Sequence, residues 1–316
     1  MTANETRPLE DMLKYEKDVK SKIAYITLNR PDKMNAPTSA MRLRYGELLR
    51  QADIDNDVKV VIVRGIGDHL GTGADLPDTM RILNGNPLEE FGLQDEPDLE
   101  YPPKGTFRHG YSAAALYADA RGGCRSLQEV KKITILEVKG YCYGWHFYQA
   151  ADADLVIASD DALFGHAAFR YAGLAPRQWQ WIETMGLRKF QEMVFTGRPF
   201  TAQEMRECNF VNSVVARDKL EGEVQKYALA CANGSTDRIV LQKTFFQVYK
   251  QHRGEYLGSI LAGLFEGLTG YMRAEEGEFA IDADGEMVKN LARNVKDNDA
   301  RYPPEWRLSV RGRRTA

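Results

Sequence analysis

The chain is short of the features that build stapled, metal-nucleated or membrane-spanning proteins. Its 316 residues hold only four cysteines, Cys124, Cys142, Cys208 and Cys231. They are too scattered for a C-x-x-C pair, and no histidine stands near them at metal-ligand spacing, which argues against a disulfide scaffold and a zinc motif. A reduced, cytoplasmic setting is the expectation. No run approaches 18 apolar residues, and Met1 to Lys20 is charged without the apolar centre of a secretion signal, so neither a membrane span nor export is expected. Excess charge of one sign is also missing: 42 basic against 45 acidic residues leave −3, which gives no broad field for nucleic acid. Only Arg307, Arg311, Arg313 and Arg314 form a local basic patch, read as a solvated tail. Repeats and low-complexity tracts are lacking too, and with 43% hydrophobic and 28% charged residues the composition is that of a globular chain. The length suffices for one large domain or two ordinary ones with a buried core.

Strand and helix signals alternate in the first half. Ile23 to Leu28 (IAYITL) reads as a strand ended by the turn residues Asn29 to Asp32. Thr38 or Ser39 caps a helix running to about Ala52, and Val58 to Val63 (VKVVIV) is apolar enough for a strand covered on both faces. Ile133 to Val138 and Asp154 to Ala158 repeat the strand signal around a short helix at Phe147 to Ala151. The fold class expected is layered α/β. After Gly186 helices dominate, at 187–195, 201–208, 220–232 and 237–251. The Pro-, Gly- and acid-rich stretch 84–110 reads as a long loop or lid. Gly254 to Gly285 mixes glycines, aromatics and acids; its Asp282-Ala283-Asp284-Gly285 lacks the later ligands of a calcium loop, so no metal site is expected.

Two turns carry the chemistry. Leu70 to Leu76 (LGTGADL) follows one apolar strand directly, and small residues there let a ligand approach backbone N–H groups. Gly140 to His146 (GYCYGWH) follows another strand and opens a helix, whose first N–H groups have no partner within the helix. Two such turns at neighbouring parallel strand ends supply two donors to one oxygen, the arrangement of an oxyanion hole.

These segments resemble the crotonase (enoyl-CoA hydratase/isomerase) superfamily. The likeness rests on NRPDKMNA (Asn29 to Ala36), VKVVIVRG, TGADL (Thr72 to Leu76), KGYCYG into DADLVIAS (Lys139 to Ser159), ALFGH (Ala162 to His166) and TGRPFTAQE (Thr196 to Glu204), in the family's order across about residues 20–235. The resemblance implies a spiral of β-β-α units over 21–200 with the 84–110 insertion. It places an extension before it at 1–20 and a helical region at 201–316 that builds a trimer or hexamer. It implies an acyl-thioester substrate with coenzyme A as part of it, and no separate cofactor. The N–H groups of Ala74 and Trp145 would be the oxyanion donors, the latter where the family has glycine, with the indole expected to reshape the pocket. Lys33, Thr72, Tyr143 and Arg170 are the expected substrate-binding residues.

The family's two catalytic glutamates fall here on Tyr148 and Ala168. Acid/base work would then pass to His166, Tyr148 or His146, since an imidazole titrates near neutrality and a phenol is a weak acid. His69, His109 and His252 are weaker candidates. Asp75 is read as a turn and helix-capping residue, and the aromatic run Tyr141, Tyr143, Trp145, Phe147 and Tyr148 as part core, part pocket wall. The expected function is a crotonase-type enzyme that stabilises an enolate of an acyl-CoA or β-oxo compound. The alternatives are a carbon–carbon hydrolase of a cyclic β-diketone and a non-catalytic acyl-CoA-binding homologue.

Overall fold

In the computed structural model the apolar runs of the first half assemble into a twisted parallel sheet. The structure describes residues 7–79, 125–171, 175–268 and 291–310, with isolated positions between and beyond them. A helical turn α1 (Leu9–Met12) leads into β1 (Leu13–Asp18), followed by β2 (Ile23–Leu28), α2 (Ser39–Ile54) and β3 (Val60–Gly65). Next come β4 (Ile133–Val138), β5 (Tyr141–Tyr143), α3 (Trp145–Asp152), β6 (Leu155–Ser159) and β7 (Leu163–Gly165). The remaining elements are α4 (Gln178–Met185), α5 (Leu187–Thr196), β8 (Phe200–Thr201), α6 (Ala202–Glu207), β9 (Ser213–Val215), α7 (Leu220–Ala232), α8 (Thr236–His252), α9 (Glu255–Leu268) and α10 (Leu291–Asp299).

The larger sheet runs β1-β2-β3-β4-β6-β9 and the smaller β5-β7-β8. Neighbours from β2 to β9 in the large sheet are parallel, whereas β1 pairs antiparallel with β2. Successive units give one strand to each sheet: β4 then β5, β6 then β7. The first unit does the same with β3 and Gly71, which bridges in parallel to Cys142. This is the spiral of β-β-α units, with helices gathered toward the C-terminus.

Strand periodicity sorts the core into two layers. Val61, Val63, Leu136 and Ala158 pack with α2 and α3, while Val60, Ile62, Ile135 and Ile157 face Leu220, Val224 and Ala228 of α7. Full burial of such a side chain contributes roughly 1.5–3 kcal/mol, so a one-residue slip that turned a strand's set to the wrong layer is heavily disfavoured. Register in turn decides where the residues just past the strand ends come to lie.

Four features depart from the sequence reading. The segment 13–18, expected within an extension, is the edge strand β1; its charged residues face solvent and guard the edge, so no alternation marks it. The large sheet continues past residue 200 through β9. The first part of 254–285 is the helix α9. The tail is docked rather than solvated: Tyr143 Oη donates to the Leu308 carbonyl at 2.7 Å, the Val310 N–H donates to Tyr141 Oη at 2.8 Å, and Arg313 Nε donates to the Arg307 carbonyl at 2.8 Å. Cys124, His109, Arg311, Arg314, 282–285 and most of 84–110 lie outside the described residues. Among the described residues no helix is long and apolar enough to cross a membrane.

Candidate active site

The two glycine turns meet at the ends of β3 and β5. Gly71 N–H donates to the Tyr141 carbonyl at 2.8 Å and Tyr143 N–H donates back to Gly71 at 3.0 Å, which lays residues 70–72 alongside β5. From the other side the loop after β2 holds the same segment. Asn35, in the left-handed region at φ 54, donates its side-chain amide to the Ile66 and His69 carbonyls at 2.9 and 2.8 Å, and Thr72 N–H donates to Met34 at 3.2 Å. Gly73 (φ 102) and Gly144 (φ 54) then touch: a β-carbon on Gly144 would lie 2.9 Å from Gly73 Cα. Only glycine permits that approach at those backbone angles.

Each touching glycine precedes one expected donor. The N–H of Asp75 is used by the Pro37 carbonyl at 3.1 Å, and that of Gly73 by His146 Nδ1 at 3.2 Å. Between them, among the described residues, no acceptor meets the N–H of Ala74. Trp145 is the first residue of α3, where a helix has no internal acceptor to offer, and none is present elsewhere among the described residues. The structure therefore brings together two uncommitted backbone donors. The Trp145 indole does not crowd them, contrary to expectation: it is 2% exposed and packs edge-on to Tyr45 at 5.0 Å in the core.

One helical turn along α3, Tyr148 meets His166. The parallel register of β5 and β7 sets Tyr143 beside Gly165, and Gly144 N–H donates to the Gly165 carbonyl at 3.1 Å, so the residue after Gly165 must lie next to the turn. Tyr148 Oη and His166 Nε2 are 2.5 Å apart. The Ala168 N–H donates to His166 Nδ1 at 3.0 Å, so in the neutral ring the proton sits on Nε2 and is donated to the phenol oxygen. Burial pushes the His166 imidazole down to about 4, which keeps it neutral at pH 7. Tyr148 thus accepts from His166 at its phenol oxygen. Phe169 and Trp181 flank the imidazole, with centroids at 5.3 and 6.2 Å.

The other sequence candidates disperse. Lys33 is exposed on the 3-10 turn Pro31–Lys33, and Thr72 is half-buried one residue before Gly73. Tyr143 is 6% exposed and its hydroxyl is taken by the tail carbonyl of Leu308, so it faces the C-terminal segment. Arg170 is likewise taken: Nε donates to the Gly197 carbonyl at 2.8 Å, Nη1 pairs with Asp299 at 2.5 Å, and Nη2 donates to Trp306 at 2.8 Å, which leaves it no role on a substrate carboxylate. His146 is 1% exposed beneath Gly71, and burial drives it to about 4 despite the opposing pull of the Tyr143 and Asn35 backbone. His69 stacks on Tyr141 at 4.2 Å and accepts its N–H at 3.2 Å. Asp75 caps the next turn through Asp78 N–H at 3.1 Å and pairs with Arg30 at 2.9 Å. Among the described residues no group of three or more His, Cys, Asp or Glu is placed to hold a metal ion. The sequence reading missed the docking of 299–310 behind β5, for which it offers no local signal.

Comparison with known proteins agrees with this fold. The enoyl-CoA hydratase/isomerase family matches residues 18–95 and 108–268, and the chain belongs to that family. A mevalonyl-coenzyme A hydratase of Aspergillus fumigatus is 28% identical over 225 residues, covering 69% of this chain and 72% of that protein. A hydroxycinnamoyl-CoA hydratase-lyase of Pseudomonas fluorescens is 25% identical over 203 residues, 63% of this chain and 65% of that one. Among solved structures, a probable enoyl-CoA hydratase from Mycobacterium thermoresistibile superposes with a TM-score of 0.69 at 26% identity, covering 82% of this chain and 94% of that one. An enoyl-CoA hydratase from Mycobacterium smegmatis reaches 0.74 at 22% identity over 93% and 94% of the two chains, a likeness of fold.

Proposed function

We propose that the chain is an enzyme acting on an acyl-CoA thioester, with coenzyme A entering as part of the substrate and no separate cofactor. The thioester carbonyl sits between the N–H groups of Ala74 and Trp145, and the Tyr148–His166 pair moves the proton. The Tyr148 hydroxyl first gives its proton to solvent. The phenolate, held by the Nε2–H of His166, then takes the proton from Cα, the electron pair of the C–H bond passes to the carbonyl, and negative charge gathers on the carbonyl oxygen, where two fixed dipoles meet it. The Nε2–H of His166 supports the phenol oxygen while its proton is in transit. Lys33 and Thr72, on the loop and turn that flank Ala74, are the proposed contacts to the rest of the thioester.

The observation that carries this reading is the 2.5 Å bond between Tyr148 and His166 beside two uncommitted donors. It also bears on the reaction subtype proposed. The positions matched to the family's two glutamates hold Tyr148 and Ala168, so addition of water by a carboxylate pair is replaced by chemistry that a phenol and a neutral imidazole can do. The relatives named as CoA hydratases and a CoA hydratase-lyase support the thioester. The test is to incubate the protein with a panel of enoyl-CoA thioesters and, separately, cyclic β-diketones, following loss of the conjugated chromophore. Turnover of thioesters that is lost in Tyr148→Phe supports the reading. Turnover of β-diketones alone favours carbon–carbon hydrolysis, and binding without turnover of either panel favours a non-catalytic homologue.

The same reading includes a homotrimer, or a hexamer of paired trimers. Leu241, Phe245 and Val248 of α8 are 72%, 67% and 63% exposed, and Leu257 of α9 is 59% exposed, apolar side chains for a partner subunit to cover. Light scattering at micromolar concentration should give a multiple of three, and a monomer would contradict it.

A further inference from the structure

The first turn of α3 does two things at once. Its first residue, Trp145, presents a backbone donor, and its second, His146, reaches across to the opposite turn. The His146 ring fills the space a side chain on residue 71 would need: a β-carbon on Gly71 would lie 2.2 Å from both Cε1 and Nε2. From that position Nδ1 accepts the Gly73 N–H at 3.2 Å. Gly73, a glycine at φ 102, has no side chain to hold its peptide planes. Its N–H is one residue ahead of the proposed donor Ala74.

We propose that His146 is a positioning residue: its imidazole fixes the Gly73 peptide and so aims the Ala74 N–H alongside that of Trp145. The proposal rests on the reading that these two N–H groups bind the thioester carbonyl. The residue pair that makes it possible is Gly71 with His146, a void and the ring that fills it. His146 itself touches no substrate, being 1% exposed beneath the turn. A misaimed donor loses most of its value, because an oxyanion contact acts only at the place where charge develops.

The test uses His146→Leu, which keeps bulk and removes the acceptor, and His146→Asn, whose amide oxygen replaces Nδ1. Three readouts are compared at matched thermal melts: turnover of the best thioester, the red shift of bound 4-dimethylaminocinnamoyl-CoA, and hydrogen exchange in the segment 71–75 of the unliganded protein. In His146→Leu we expect kcat to fall on the order of 10–100-fold with KM within about threefold, the red shift to shrink, and exchange to rise. His146→Asn should recover all three. If His146→Leu does not fold, Gly71→Ala displaces the ring without removing it and should raise exchange and reduce the red shift in the same way. Wild-type exchange, red shift and kcat in folded His146→Leu would overturn the proposal while leaving the thioester reading intact. Absence of a red shift and of turnover in the wild type would instead remove the thioester reading, and the exchange data alone would then decide whether His146 holds the Gly73 peptide.

Discussion

Tyr148 Oη and His166 Nε2 stand 2.5 Å apart, and the Ala168 N–H on the far side of the imidazole determines which of the two donates. One backbone group thereby sets a tautomer, and the tautomer sets the direction of a proton path. If that path is the catalytic one, Tyr148→Phe and His166→Ala should each lower turnover by about 10²–10⁴-fold, the range for loss of a general acid/base. His252, at the end of α8, serves as the control: His252→Ala should remain near wild type. Steady-state kinetics on the best substrate of the thioester panel, with thermal melts to exclude unfolding, checks this.

Protonation of buried imidazoles should make stability depend on pH. His146 and His166 are held at about 4 in the folded chain against an ordinary value of 6.5. Between those limits the unfolded chain binds protons that the folded one does not, so stability is full above about 6.5 and is lost as pH falls toward 4. The slope approaches about 1.4 kcal/mol per pH unit for each ring within that window. His146 and His166, shifted alike, should contribute about equally. Denaturant melts between pH 7 and 4 measure the slope, and in His146→Asn it should be shallower; an unchanged slope would mean that His146 is not a buried neutral ring.

Arg170 is expected to act on stability and not on substrate. Its guanidinium pairs with Asp299, donates to Trp306 and lies 3.6 Å from the centre of the Tyr302 ring. Arg170→Met leaves a largely buried carboxylate without its partner, a change that typically costs about 3–5 kcal/mol. Limited proteolysis should then cut within 299–310, with a lowered melting temperature. A raised KM with an unchanged melt would return Arg170 to the substrate site.

How much of this was legible in the sequence follows the range of the interaction concerned. IAYITL at 23–28 was read with its observed limits because an apolar run and a turn are local signals. LKYEKD at 13–18 was not, because an edge strand gains its bonds from β2 and leaves its side chains in water. The two glycine turns, which the structure brings into contact at Gly73 and Gly144, could be placed from motif order. The difference between His166 and His146 could not, since it depends on which ring the Gly71 void accepts. Arg170 shows the limit most plainly: its ion-pair partner is 129 residues away, and nothing around it in the chain announces that the charge is already answered.

The central claim is that an acyl thioester gives up an α-proton while its carbonyl rests on the N–H groups of Ala74 and Trp145. Deuterium incorporation at Cα of saturated acyl-CoA thioesters in D2O measures that step directly, without requiring the full reaction. The wild type should incorporate deuterium, and Ala74→Pro, which removes one donor, should slow it by roughly 10²–10³-fold at an unchanged fold. No incorporation with any acyl-CoA, or undiminished incorporation in folded Ala74→Pro, would contradict the account.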